Sequence, residues 1–269
     1  MMPASASPIL YVNNQISIDA IDQNINYREK NGAGTSLDSE NGWQPGIQLT
    51  GTAMRNLGVL TNLYIMGQFS WARASTRYVG AYSGGNYGDL SQRDGAATTD
   101  FDFRFGKGFE VGPSWMFTPY FGAGYHSWDR NLAGGGGYHE KYSHSYAGGG
   151  LLIQWAPTRQ WVLSANGLAG STFTRHMATS LTDGGYPIDP FNYNLGAKLM
   201  WKFGLSADYA LTPQWHLNAG IDYTNFGYGV SNYQHLGGNK VSFEPNSRSG
   251  ILTVKAGVGY SFYQEASRF

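Results

Sequence analysis

The sequence predicts an all-β fold: a closed, antiparallel, up-and-down transmembrane β-barrel of about ten strands. Three observations predict it. Apolar and polar residues alternate with a period of two along most of the 269 residues, the signature of strands with one apolar and one polar face. Short and long connections alternate along the chain. Aromatic residues gather where the alternating segments end, as they do where strands enter and leave a bilayer.

Composition excludes the competing classes. Charged residues make up 13% of the chain and aromatics 15%, the wrong balance for a disordered polymer. No apolar run is long enough for a transmembrane helix. There is no cysteine, hence no disulfide scaffold and no thiolate metal site. Eighteen basic residues balance eighteen acidic ones without a basic block, so no nucleic-acid partner is expected. Met1 to Ser7 lacks a basic region followed by an apolar run and is read as the start of a mature secreted chain with an added Met.

The strands follow in order. In the first, Ile21, Ile25 and Tyr27 oppose Asp22, Asn24, Asn26 and Arg28; Ile16 and Ile18 fall on the other parity, which predicts a bulge near Ala20. The second sets Ile47, Leu49, Gly51 and Ala53 against Gln48, Thr50 and Thr52. The third sets Leu63, Ile65, Gly67 and Phe69 against Tyr64, Met66, Gln68 and Ser70. The fourth sets Phe101, Phe103 and Phe105 against Asp100, Asp102 and Arg104. In the fifth, Phe121, Ala123 and Tyr125 alternate with Gly122, Gly124 and His126. The sixth and seventh run through Leu151, Ile153 and Trp155 and through Trp161, Leu163 and Ala165. The eighth, Leu195 to Leu211, is the longest clean alternation, with Lys198, Lys202 and Asp208 opposite Leu199, Trp201, Phe203 and Leu205. The ninth carries Trp215, Leu217, Ala219, Ile221 and Tyr223, and the tenth Leu252, Val254, Ala256, Val258, Tyr260 and Phe262. Short turns lie at 55–62, 111–116, 156–160 and 212–214. Long connections lie at about 30–42, 76–98, 130–141, 175–191 and 227–248.

A soluble sandwich would turn these apolar faces inward. Strands of roughly ten residues, long enough to cross a bilayer at a tilt, favour the inverse arrangement, with lipid outside and a polar lumen. Trp115, Phe117, Trp155, Trp161, Tyr209, Trp215 and Phe262 form one predicted girdle. Tyr27, Trp43, Trp71, Tyr78, Trp128, Phe173 and Tyr193 form the other.

The pieces TPYFGAGY (118–125), LTPQWHLNAGIDY (211–223) and LTVKAGVGYSF (252–262) resemble strands of Gram-negative outer-membrane barrels, and the last resembles their C-terminal targeting strand. The resemblance implies a bacterial outer-membrane location, with outer-membrane lipids and lipopolysaccharide as partners. It also implies an N-terminal periplasmic extension at 1–14, a barrel at 15–262 and a C-terminal tail at 263–269. Ten strands resemble the omptin proteases in size. That family implies an acidic pair and an Asp-His pair at the outer rim, but no Asp-x-His occurs here.

The predicted lumen carries Asp22, Asp100, Asp102, Asp208 and Asp222 against Arg28, Arg104, Lys198, Lys202 and Lys255. Balanced charges in so narrow a space should pair, because isolated buried charges are costly. The expected partners are Arg104 with Asp100 or Asp102, and Lys198 or Lys202 with Asp208 or Asp222. The long loops carry Tyr82, Tyr87, Arg93, Arg130, Tyr138, Lys141, Arg175, Tyr186, Tyr233 and Lys240 as recognition candidates, including for a protein partner. The best catalytic grouping is His126-Ser127, Ser143-His144-Ser145 and Glu140, but its spacing matches no hydrolase motif. No catalytic residue, metal or cofactor is therefore expected. The expected function is non-enzymatic, a structural or interaction subunit of the cell envelope. A narrow diffusion channel is the alternative, and a rim-located lipid hydrolase or protease comes third.

Overall fold

The computed structural model describes residues 7–82, 85–132, 139–180, 191–235 and 241–263. Ten long strands form the wall: β1 (Gln15–Lys30), β2 (Ser36–Leu57), β3 (Leu60–Gly80), β4 (Leu90–Lys107), β5 (Trp115–Leu132), β6 (His139–Trp155), β7 (Trp161–Ser180), β8 (Leu199–Ala210), β9 (Trp215–Tyr228) and β10 (Asn246–Ser261). Each pairs antiparallel with the next, and β10 returns to β1 in unbroken register from Gln15↔Ser261 to Lys30↔Asn246. Closure leaves no open edge, which hydrocarbon would not tolerate. Four short strands decorate the ring. Phe109–Val111 pairs with the foot of β5, Phe191–Asn194 pairs with upper β7, and Gln234–His235 pairs with Val241–Ser242.

The apolar face points outward. Phe101, Phe103, Phe105, Trp201, Phe203, Leu205, Val254 and Val258 are exposed, while their polar neighbours turn into the lumen. At the short-turn end, aromatic rings pair across strands: Trp115 with Trp155 at 5.4 Å, Trp161 with Tyr209 at 4.8 Å and Trp215 with Tyr260 at 5.2 Å. The turns there are tight. Gly58 (φ 58°) and Gly112 (φ 64°) take left-handed conformations that suit glycine.

A short helix, α1 (Pro8–Val12), folds into the short-turn mouth with Ile9 buried. The Asn13 and Gln154 amides exchange hydrogen bonds of 2.8 and 3.0 Å inside the barrel. Asn14 Oδ1 accepts from the Met54 backbone N–H at 2.9 Å and from the Arg55 guanidinium.

The structure corrects several expectations. The first strand keeps one parity throughout, with no bulge at Ala20. Ile16 and Ile18 face outward, whereas Ile21, Ile25 and Tyr27 are buried inside. Asp22 and Arg28 therefore lie on the outer face, not in the lumen. Asp22 stands level with Val254, within the belt, its outward place fixed by the unbroken alternation from Ile16 and Ile18; at Arg28 the belt has ended, the outer wall is wet and the lumen takes the apolar residues. Tyr78, Trp128 and Tyr193 likewise point inside, leaving Trp43, Trp71, Phe173 and the Trp201–Tyr223 pair at the upper girdle. Much of the predicted loop length is strand: of 76–98, only 81–89 lies outside β3 and β4. β8 begins at Leu199, because Leu195 turns inward and Gly196 bridges to Gly229.

Candidate functional site

The lumen is filled in layers. Above the Asn13–Gln154 layer, Asp208 accepts from His216 Nδ1 at 2.5 Å and from Gln15 Nε2 at 3.2 Å. Lys255 meets Asp222 at 2.5 Å. Lys202 meets Asp102 at 2.5 Å and donates to the Tyr146 hydroxyl at 2.9 Å, which itself donates to Asp102. Arg104 lies over the Tyr120 ring at 5.0 Å. Asp100 contacts His126 Nδ1 at 2.7 Å. Of the predicted lumen charges, eight are thus inside or partly inside, and Asp22 and Arg28 are not. The partners differ from expectation: His126 and His216 take two of the carboxylates, and Arg104 takes an aromatic face. Lys198 is half-buried beside Gly227. The cavities left between these layers have volumes of about 140 and 50 Å³.

The catalytic grouping comes apart. His126 and His144 are directly opposed on β5 and β6, both buried and pointing inward, and the His144 ring bonds the Tyr228 hydroxyl at 2.7 Å. Ser127, Ser143 and Ser145 alternate onto the other face of the wall, so none can be activated by these rings. Among the described residues, no three His, Asp or Glu side chains are grouped to hold a metal ion.

The densest chemistry lies higher, above the upper girdle. Arg130 is 1% exposed and crosses the lumen. Its guanidinium meets Glu140 at 2.5 Å, Glu40 at 3.3 Å and Asp38 at 3.5 Å. It packs against the rings of Tyr27, Trp128, Tyr142 and Tyr78 at 5.2 to 5.7 Å. Tyr142 donates to Glu244 at 3.1 Å, and Tyr27 donates to Glu29 at 2.5 Å. Asp94, on β4, is fully buried beside Glu40. One cation therefore faces Glu29, Asp38, Glu40, Asp94, Glu140 and Glu244. Burial pushes the Asp38 carboxyl up to about 6 against the pull of Arg130. Burial and then the Glu40 charge push Asp94 up to about 7. Burial and then Glu140 push Glu244 up to about 7. Arg130 is held well above its usual value by these acids and the neighbouring tyrosines, although burial alone would lower it.

The sequence places Arg130 in a long connection, and of the six acids it singles out only Glu140, grouped there with His126 and His144. The signal was parity. Met116, Tyr120, His126, Trp128 and Arg130 share one face of β5, and Tyr27 shares one with Glu29. Of the other recognition candidates, Tyr82, Tyr87 and Tyr233 are exposed in connections. Arg93 and Lys141 are exposed, but on strand walls. Arg175 is spent on backbone, donating to the Leu195 and Thr172 carbonyls at 2.8 and 2.6 Å. Tyr138, Tyr186 and Lys240 lie outside the described residues.

No protein-family model matches the chain, and no curated protein matches it. Solved structures do match in shape. The outer membrane protease OmpT from Escherichia coli superposes with a TM-score of 0.59 at 11% identity, covering 92% of this chain and 95% of that one. The translocator domain of the autotransporter NalP from Neisseria meningitidis gives 0.39 at 13%, covering 93% and 89%. Neisserial surface protein A gives 0.32 at 16%, covering 92% and 97%. The fold is that of the outer-membrane β-barrels. This barrel shares its shape with a protease, but at 11% identity the likeness carries the architecture alone.

Proposed function

We propose that the chain is a non-conducting outer-membrane barrel that serves as a rigid scaffold for recognition at its long-loop end. One observation carries the reading: Arg130 is buried in the lumen and ties β2, β5 and β6 together through Asp38, Glu40 and Glu140. A porin-like lumen would be wet at this height. Here Tyr27, Trp128 and Tyr142 close around the guanidinium, and Tyr142 also holds the last loop through Glu244.

Strands that run on beyond the girdle, braced from within, make a stiff stalk. Its tips present Tyr82, Tyr87 and Tyr233, the residue type that supplies contact area at low entropic cost. A protein partner at these tips, lipopolysaccharide around the stalk and an outer-membrane location belong to the same proposal. Planar-bilayer recording tests the closed lumen: the intact barrel should show no steady conductance. Replacing residues 81–89 by a short Gly-Ser turn should leave a folded, heat-modifiable barrel that no longer captures its partner. Steady ion-selective currents from the parent would replace this reading with the diffusion channel.

A further inference from the structure

The zero net charge of the chain hides a radial separation of charge. Above the upper girdle the inward positions carry the six acids around Arg130. Outward positions of the neighbouring wall carry Arg28, Lys30, Arg73, Arg77, Arg93 and Arg248, all exposed. Strand alternation does this locally. Arg28, Glu29 and Lys30 are consecutive, as are Arg93 and Asp94, and successive side chains leave the wall on opposite faces.

Two of the outward pairs are in direct register. Arg28 stands opposite Arg248, and Arg77 stands opposite Arg93. Opposed residues have Cβ atoms roughly 5 Å apart, and like charges placed so destabilise a sheet. None of the six basic side chains has an ion-pair partner among the described residues. Their hydrogen-bond partners are neutral: Arg248 donates to Asn225 Oδ1 at 3.0 and 3.2 Å, and Arg77 Nε donates to Ser91 Oγ at 3.4 Å. One lateral row reads Asn26, Asn41, Arg77, Arg93 across β1 to β4. That is an arc of amide and guanidinium donors with no acid of its own. Paired arginines are suited to bidentate binding of phosphate.

We propose that the outer wall of β10, β1, β2, β3 and β4 clamps the phosphate groups of phosphorylated glycolipids in the outer leaflet. Height selects a lipid over a free ion. Arg73 is the next outward residue after the girdle Trp71, one step of roughly 7 Å along a tilted strand, and Arg77 is two steps further. Arg248 is two outward steps above Leu252. The row therefore starts at the headgroup level and rises into the sugar layer. The bound phosphates would relieve the repulsion that the unliganded wall carries. This rests on the outer-membrane reading above.

The test uses the full chain refolded into phosphatidylcholine vesicles, alone or with lipid A carrying both phosphates or with enzymatically dephosphorylated lipid A. Parent, the double variant Arg77→Gln/Arg93→Gln and the quadruple variant that adds Arg28→Gln and Arg248→Gln are compared by the temperature at which the heat-modifiable barrel is lost. In phosphatidylcholine alone the variants should melt at or above the parent. With phosphorylated lipid A the parent should gain, and the quadruple variant should lose more than half of that gain. The lipid A retained per barrel in native mass spectrometry should fall severalfold. Equal gains in parent and variants overturn the clamp. So does an equal gain from dephosphorylated lipid A, or the same gain from inorganic phosphate added to phosphatidylcholine vesicles. A parent that never becomes a protease-protected barrel in phosphatidylcholine overturns the membrane reading itself.

Discussion

Arg130→Met should destabilise the barrel, and by an amount that depends on pH. The substitution removes the one guanidinium that faces Asp38, Glu40 and Glu140 at 2.5 to 3.5 Å. Breaking a buried pair by deleting one partner costs about 3–5 kcal/mol, because the other charge stays buried and uncompensated. Methionine keeps apolar contact with Tyr27, Trp128 and Tyr142, so lost packing adds little. The acids have an escape: they can take up protons. In the parent Arg130 already works against the burial that raises Asp38 to about 6; without it those values rise further. The folded state then binds more protons than the unfolded one between the ordinary carboxyl range near pH 4 and the raised folded values. Where the folded state binds more protons, stability falls as pH rises. Most of the loss should therefore be present at pH 8 and much of it absent at pH 5. Urea unfolding in phosphatidylcholine vesicles, followed by tryptophan fluorescence at the two pH values, reads this directly. An equal loss at both pH values, or none at pH 8, would mean that the buried acids do not set the cost.

The parent should show a weaker form of the same trend, losing stability between pH 5 and pH 8 as Asp38 (about 6) and then Asp94 and Glu244 (about 7) ionise; a flat profile would count against the acidic chamber. Phe203→Arg, on the outer face within the apolar belt, should cost about 2–4 kcal/mol in vesicle refolding. The same change at Lys202, one residue away but inside, should be milder, because Asp102 keeps a cation. Lys202→Met should cost about 3–5 kcal/mol, and combining it with Asp102→Asn should recover part of that loss in a double-mutant cycle. Asn13→Ala orphans the Gln154 amide and should cost about 1–3 kcal/mol, measured by urea midpoint at unchanged slope.

The architecture is legible in the order of the amino acids alone. Its alternation states which side chains share a face, and the short turns set neighbours in order, so the sequence of β2 to β10 around the ring follows from it. Phe101, Phe103 and Phe105 point to lipid and Asp102 and Lys202 to the lumen, as parity requires. Parity alone does not say which face is inside once both faces are mixed. Beyond the belt the outer wall meets water instead of hydrocarbon, and the apolar-outside rule lapses there. Unbroken alternation from the outward Ile16 and Ile18 then fixes the sides of β1, so Ile25 and Tyr27 turn inward while Asn24 and Arg28 turn out. Partner choice was decided only by closure. Arg130 and Asp38, or Lys202 and Asp102, are 92 and 100 residues apart in the chain. They meet because closing the ring brings distant strands to face each other across a lumen one or two side chains wide. Local sequence carries the direction in which each charge points, but the curvature of the whole sheet determines what stands opposite it.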